Sequence, residues 1–261
     1  TYAEELMRPE FGMGLQGLIA SRAKDLHGIL NGVDDTVWSP ETDAHITQYA
    51  ARSLDKKAAN RAALIEEFGL GEVPGPLAIV VSRLTWQKGI DLLSEALPGF
   101  IADGGGLVLL GSGESSLEQA ALSAAQHWPD RVGVRLGYDE ALSHRMMAGG
   151  DAVLVPSRFE PCGLTQMYGL RYGTVPLVAA TGGLNDTVIG ATPASLGANA
   201  ATGVTFHPID GISLGNAFRR LTALYRDQAV WTRLVKRAMR AEVSWDGPAK
   251  AYAALYGSLA K

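Results

Sequence analysis

From residue 77 onward the chain alternates between two periodicities. Six short apolar runs rich in β-branched residues recur: 77-LAIVVSRL-84, 107-LVLLG-111, 132-VGVRL-136, 152-AVLVP-156, 175-VPLVA-179 and 203-GVTFH-207. Runs that are nearly continuously apolar suit strands covered on both faces, and therefore parallel ones. Between them lie segments with helical spacing, 88-KGIDLLSEALPGFIA-102, 114-ESSLEQAALSAAQHW-128, 139-DEALSHRMMAGG-150 and 163-GLTQMYGLRYG-173, the third with Asp139 as its expected N-cap. This βαβα rhythm predicts an α/β fold, a doubly wound, Rossmann-like parallel sheet. Upstream, residues 54–68 predict a helix ended by Gly69, and 31-NGVDDTVWSPETD-43 a turn-rich connection. Further helices are expected near 211–226, 228–242 and 244–260. No internal repeat or low-complexity segment interrupts the pattern.

Ligands of such sheets bind beyond the carboxyl ends of the strands. The residues expected there are unusual: Arg83 and 85-TWQKG-89, then 111-GSGES-115, 137-GYDE-140, 156-PSRFEPCG-163 and 181-TGGL-184. Each carries glycines, charges or an aromatic ring.

Composition narrows the classes of function. With 261 residues, 47% hydrophobic and 19% charged, the chain is an ordinary globular one with ample core. A formal net charge of -4 and scattered basic pairs argue against a nucleic-acid partner. The apolar runs are far shorter than a membrane span. One cysteine, Cys162, excludes an internal disulfide and a cysteine-based zinc cluster, and fits a reducing compartment. The five histidines show no metal-binding spacing, so no metal site is expected. The start, TYAEELMRPE, has neither a signal-peptide pattern nor an initiator Met, and reads as helix already under way. The chain is therefore expected to be the later part of a longer protein.

Arg83 and Lys88 stand five residues apart across a strand-to-helix turn. Two cations there can grip a diphosphate, Arg as a fork and Lys as a point charge. The bland alternative is a surface Arg and a helix-start Lys. A cation near a helix N-terminus is disfavoured by the dipole, which an anion would offset. Gly163, Leu164 and Thr165 open a helix whose free N–H groups form an anion site, unless they are only an ordinary turn. Gly182 and Gly183 would let backbone amides approach a ligand closely. Tyr138 either stacks on a base or packs on its neighbours.

Glu160 is the sharpest case, because a carboxylate beside an anion site would repel phosphate. It suits sugar hydroxyls, or positive charge at an anomeric carbon; the alternative is an ion pair with Arg158. Cys162 is expected to be small and buried, with no nucleophilic role. Two glycine patterns mislead. The run 12-GMGLQG-17 spells GxGxxG but follows a helical segment instead of a strand, and 111-GSGES-115 lacks the third glycine. No P-loop is present.

Five pieces together, 1-TYAEELMRPEFGMGL-15, 28-GILNGVDDTVWSPETD-43, 82-SRLTWQKGIDLL-93, 157-SRFEPCGLTQMYGLRYG-173 and 181-TGGLNDTV-188, carry a resemblance. The chain resembles the bacterial glycogen synthases and plant starch synthases, retaining glucosyltransferases of the GT-B fold. The resemblance implies that residues 1–25 end a first Rossmann domain, 26–243 form the nucleotide-binding domain, and 244–261 cross back as a helix. It implies catalytic roles for Arg83, Lys88 and Glu160. The donor ADP-glucose would meet Arg83 and Lys88 at its diphosphate, Tyr138 at adenine, Gly163, Leu164 and Thr165 at the distal phosphate, and Glu160, Cys162, Gly182 and Gly183 near glucose.

The implied reaction moves glucose to an α-1,4-glucan with retention, releasing ADP, without cofactor, in the bacterial cytoplasm. Many wider GT-B relatives carry a second Glu where this chain has Tyr168, and the synthase branch shares that loss. The family's first-domain groups, including its Lys-Thr-Gly-Gly-Leu loop, are not in this sequence. Other GT-B enzymes, such as a sucrose-type synthase or a sugar-nucleotide epimerase, remain as rival readings. So does a non-catalytic glucan- or nucleotide-binding module.

Overall fold

The computed structural model describes residues 1–260. Two short helices lead, α1 (Tyr2–Glu5) and α2 (Gln16–Ser21), then α3 (Lys57–Glu67) after a turn-rich connection. The alternating part follows: β1 (Leu77–Val81), α4 (Leu93–Ala102), β2 (Gly106–Gly111), α5 (Ser115–His127), β3 (Val132–Leu136) and α6 (Glu140–Gly149). It continues with β4 (Ala152–Val155), α7 (Thr165–Tyr172), β5 (Val175–Ala179), α8 (Gly182–Thr187), α9 (Pro193–Gly197) and β6 (Val204–Phe206). Helices α10 (Gly211–Arg226), α11 (Gln228–Ala238) and α12 (Asp246–Leu259) complete the chain.

All six strands pair in parallel in the order β3-β2-β1-β4-β5-β6, which is the doubly wound sheet the sequence predicts. The continuous apolar runs are explained by the two covered faces. Val80, Leu109, Leu154 and Leu177 point to one side, against Leu97, Phe100, Phe218 and Leu221. Their strand neighbours Ile79, Val108, Val153 and Val178 point to the other, against Leu64, Leu142 and Met146. Each such side chain contributes roughly 1.5–3 kcal/mol by leaving water. Asp139 caps α6 as expected, accepting a hydrogen bond from the Leu142 N–H at 2.8 Å.

One predicted element is divided. The expected helix 88–102 begins as two 3-10 turns, Trp86–Lys88 and Ile90–Leu92, and becomes α-helical only at Leu93. Gly89 separates the turns at φ +67°, and a Cβ there would lie 2.0 Å from the Pro156 carbonyl oxygen. That close approach brings the loop after β1 against the end of β4.

The connection through residues 31–49 is anchored by a buried polar cluster. Asp43 Oδ2 meets His144 Nδ1 at 2.7 Å and accepts the Tyr172 hydroxyl at 2.6 Å. The Trp38 ring lies between His144 and Tyr168, with centroids 3.9 and 3.8 Å away. Tyr168 thus serves here as a stacking ring.

Candidate functional site

The order of the sheet reverses between β1 and β4, and the loops after these two strands carry Arg83, Lys88, Glu160, Cys162 and Gly163–Thr165, whereas Tyr138 follows β3 and Gly182 and Gly183 follow β5. A cavity of about 200 Å³ opens there, lined by Lys88, Ser157, Glu160, Gly163, Leu164 and Thr165 with the ends of β1 and β4. No hydrogen bond from the amides of Gly163, Leu164 or Thr165 occurs among the described residues, and no side chain caps α7. These three residues line the cavity with the positive end of the helix dipole behind them.

Lys88 is not at an α-helix N-terminus, as the sequence suggested. It ends a 3-10 turn, and four residues, Gly89 to Leu92, separate it from α4, so the dipole argument for it falls away. Its charge is answered instead by Glu160, with Nζ donating to Oε2 at 2.5 Å. The two side chains are 19% and 10% exposed, so the pair is well shielded from water. The Ser157 hydroxyl donates to the same Oε2 at 3.1 Å. The alternative partner of Glu160, Arg158, is engaged elsewhere: it makes a forked pair with Asp91 at 2.7 Å and lies over the Trp86 ring at 4.5 Å.

Arg83 is exposed at the mouth of the same loop and forms no ion pair among the described residues. Its loop is held by the next strand end. The Glu114 carboxylate accepts the Trp86 N–H at 2.9 Å, and the Glu114 N–H donates to the Leu84 carbonyl at 2.8 Å. Tyr138, beyond β3, is 86% exposed with its hydroxyl 3.1 Å from Glu140, so it does not pack on its neighbours. Three strand spacings separate β4 from β3, roughly 14 Å. A nucleotide stretched along the strand ends spans that distance.

Gly182 and Gly183 act differently from the expectation. Their amides are occupied: Gly182 N–H donates to Glu5 Oε1 at 2.9 Å and Gly183 N–H to the Glu160 carbonyl at 2.9 Å. Gly182 has φ +45°, and a Cβ on it would stand 2.0 Å from that carbonyl oxygen. A Cβ on Gly183 would stand 2.4 Å from Cys162. The glycines therefore let two turns press together and brace the Glu160–Cys162 segment from behind, rather than offering amides to a ligand. Cys162 is half-buried; desolvation, with Glu160 and Asp186 nearby, pushes its thiol above the usual range against the Asn31 N–H. That disfavours a thiolate and agrees with a passive role.

Three residues of the site escaped the sequence reading. Gln166, fully buried, donates from Nε2 to the carbonyls of Cys162 and Gly163 at 3.0 and 2.9 Å and so shapes the turn before α7. Glu5, on the far end of the sequence, fastens α1 to the Thr181–Gly182 turn. Ser157 supports Glu160. None has a local signal: each acts through a neighbour that only the fold supplies. The run 12-GMGLQG-17 follows no strand, in keeping with its exclusion. No group of residues able to hold a metal ion is found among the described residues, and no helix is long and apolar enough to cross a membrane.

Known proteins resemble this chain. The chain is 62% identical over 259 residues to a glycogen synthase of Cereibacter sphaeroides, covering 99% of this chain and 54% of that protein. It is 57% identical over 261 residues to a glycogen synthase of Jannaschia, covering 55% of that protein. The catalytic domain of starch synthase IV from Arabidopsis thaliana, bound to ADP and acarbose, superposes with a TM-score of 0.91 at 37% identity, over 99% of this chain and 54% of that one. The chain thus spans about half the length of the curated relatives it matches. The family described as glycosyl transferases group 1 matches residues 66–228, well over half of the sequence. With its parallel sheet, its strand-end cavity and these likenesses, the chain belongs to the group 1 glycosyl transferases and has the Rossmann-like architecture of a GT-B half.

Proposed function

We propose that this chain is the nucleotide-binding half of a glycogen synthase that transfers glucose from ADP-glucose to the non-reducing end of an α-1,4-glucan, with retention of configuration. The observation that carries the reading is one cavity holding a cation–carboxylate pair, Lys88–Glu160, beside three amides without acceptors at Gly163–Thr165. The cation and the amides suit a diphosphate. The carboxylate suits the sugar on the other side of the bond that breaks.

In this reading Arg83 and Lys88 hold the diphosphate, and α7 takes the distal phosphate. Charge that develops on the leaving group meets donors already in place, which is electrostatic catalysis. The reaction is a front-face displacement through an oxocarbenium-like transition state. Glu160 lies against the anomeric centre, and the leaving diphosphate takes the acceptor proton. Tyr138 stacks on adenine. A tyrosine face accepts any base, so the choice of ADP follows the synthase relatives and the ADP-bound starch synthase. No cofactor or metal enters this scheme. Residues 1–25 and 244–261 meet the remaining half of the protein, and the enzyme works in the cytoplasm.

The test is calorimetric titration of ADP into the full-length protein, with UDP and NAD as controls, alongside glucose transfer from ADP-glucose to glycogen. ADP binding that disappears in Arg83→Ala, together with transfer, supports the reading. Binding of NAD in preference, or ADP binding indifferent to Arg83, overturns it. ADP binding without transfer favours the non-catalytic module.

A further inference from the structure

Glu160 is held by two donors that differ in kind. Lys88 and Ser157 both donate to Oε2, at 2.5 and 3.1 Å. Oε1 has no partner among the described residues and is open to the cavity. The carboxylate is thus anchored by one oxygen and presents the other. Lys88 is a shared anchor, because its ammonium sits on a flexible stem and also faces the space beside the Gly163–Thr165 amides. A diphosphate there competes with Glu160 for it. Ser157 is not shared. It is 0% exposed, lies two residues beyond the end of the buried strand β4, and makes no other side-chain hydrogen bond. Its hydroxyl has one χ angle and a fixed backbone behind it.

We propose that Ser157 is the positioning residue of the site: it keeps Glu160 aimed at the donor sugar while Lys88 is drawn toward the diphosphate. This rests on the diphosphate reading given above and adds a residue of the cavity wall whose own side chain is covered and reaches the site only through Glu160. The physical requirement is that a carboxylate must be within a fraction of an ångström of its place to act in a transition state. A carboxylate whose only anchor leaves when substrate binds loses that placement at the moment it is needed.

The experiment measures kcat and KM for ADP-glucose, and Kd for ADP, in the full-length protein and in Ser157→Ala. Loss of one hydrogen bond to a charged group predicts a kcat about tenfold lower. The ADP Kd should stay within about twofold, because Ser157 does not meet the nucleotide. In a Glu160→Gln background the Ser157 change should cost less than about twofold more, since the two act as one unit. Unchanged kcat in Ser157→Ala overturns the proposal. So does ADP affinity that falls in step with kcat, or a tenfold loss that persists in the Glu160→Gln background. If the alanine variant does not fold, Ser157→Cys, close in size and a weaker donor, carries the same comparison. Lys88→Met tests the underlying reading separately: ADP binding that survives it removes the diphosphate from Lys88, whatever Ser157 does.

Discussion

Removing Lys88 separates stability from binding at one side chain. In Lys88→Ala, Glu160 remains in a site where its side chain is 10% exposed, with the Ser157 hydroxyl as its remaining donor. Breaking a buried ion pair from one side costs about 3–5 kcal/mol, because the other charge stays desolvated. The cavity is open to solvent, so the lower end, about 3 kcal/mol, applies. The ADP affinity falls for another reason, the loss of a charge-assisted contact worth about 1.5–3 kcal/mol. That is a Kd about 10- to 150-fold weaker.

The double variant Lys88→Ala/Glu160→Gln tells the effects apart. It removes the stranded charge, so unfolding stability in urea should recover by about 2 kcal/mol or more. It restores no cation, so the ADP Kd should stay weak. Denaturant titration and calorimetry on the same preparations read both quantities. The reasoning is refuted if Lys88→Ala unfolds like the parent protein, or if the double variant regains ADP affinity together with stability.

Other outcomes follow from single contacts. Tyr138→Ala should leave stability unchanged, because the ring is 86% exposed, and should weaken ADP by about 5- to 150-fold, the worth of one base–aromatic stack; equal affinity by calorimetry would dismiss the stacking role. Gly182→Ala places a methyl 2.0 Å from the Glu160 carbonyl oxygen at φ +45°, so transfer activity should fall at least tenfold, and a normal rate would show that the two turns are not pressed together. Asp43 loses charge stability to desolvation but gains more from the Tyr172 hydroxyl, the His45 N–H and His144, so its folded pKa lies below 3.8. A depressed carboxylate stabilises the fold above its unfolded pKa and loses that contribution as pH falls through the folded value. Stability followed by circular dichroism should therefore drop below about pH 4, and the drop should shrink in Asp43→Asn.

The amino-acid sequence by itself determined the sheet and the place to look. Six apolar runs separated by helical spacing admit one economical arrangement, because strands without a polar face must be covered on both sides. Strand ends rich in glycine and charge then mark the edge to examine, and of the residues singled out there Lys88, Glu160 and Gly163–Thr165 line one cavity, while Arg83 and Tyr138 are exposed elsewhere along that edge. Local caps, such as Asp139, were legible because a cap is written within three residues of its helix.

Partnership across the fold was not legible. Lys88 and Glu160 are 72 residues apart, yet they make the central ion pair, while Arg158, two residues from Glu160, turns to Asp91. Ser157, Gln166 and Glu5 gain their roles from what is packed against them. From sequence, Gly182 and Gly183 suggest amides that approach a ligand closely, whereas tertiary packing makes them spacers between two turns. The physical reason is common to all of these. Periodicity and capping are short-range properties that a chain carries with it, whereas charge pairing and close approach depend on distances that exist only when β1, β4 and β5 lie side by side.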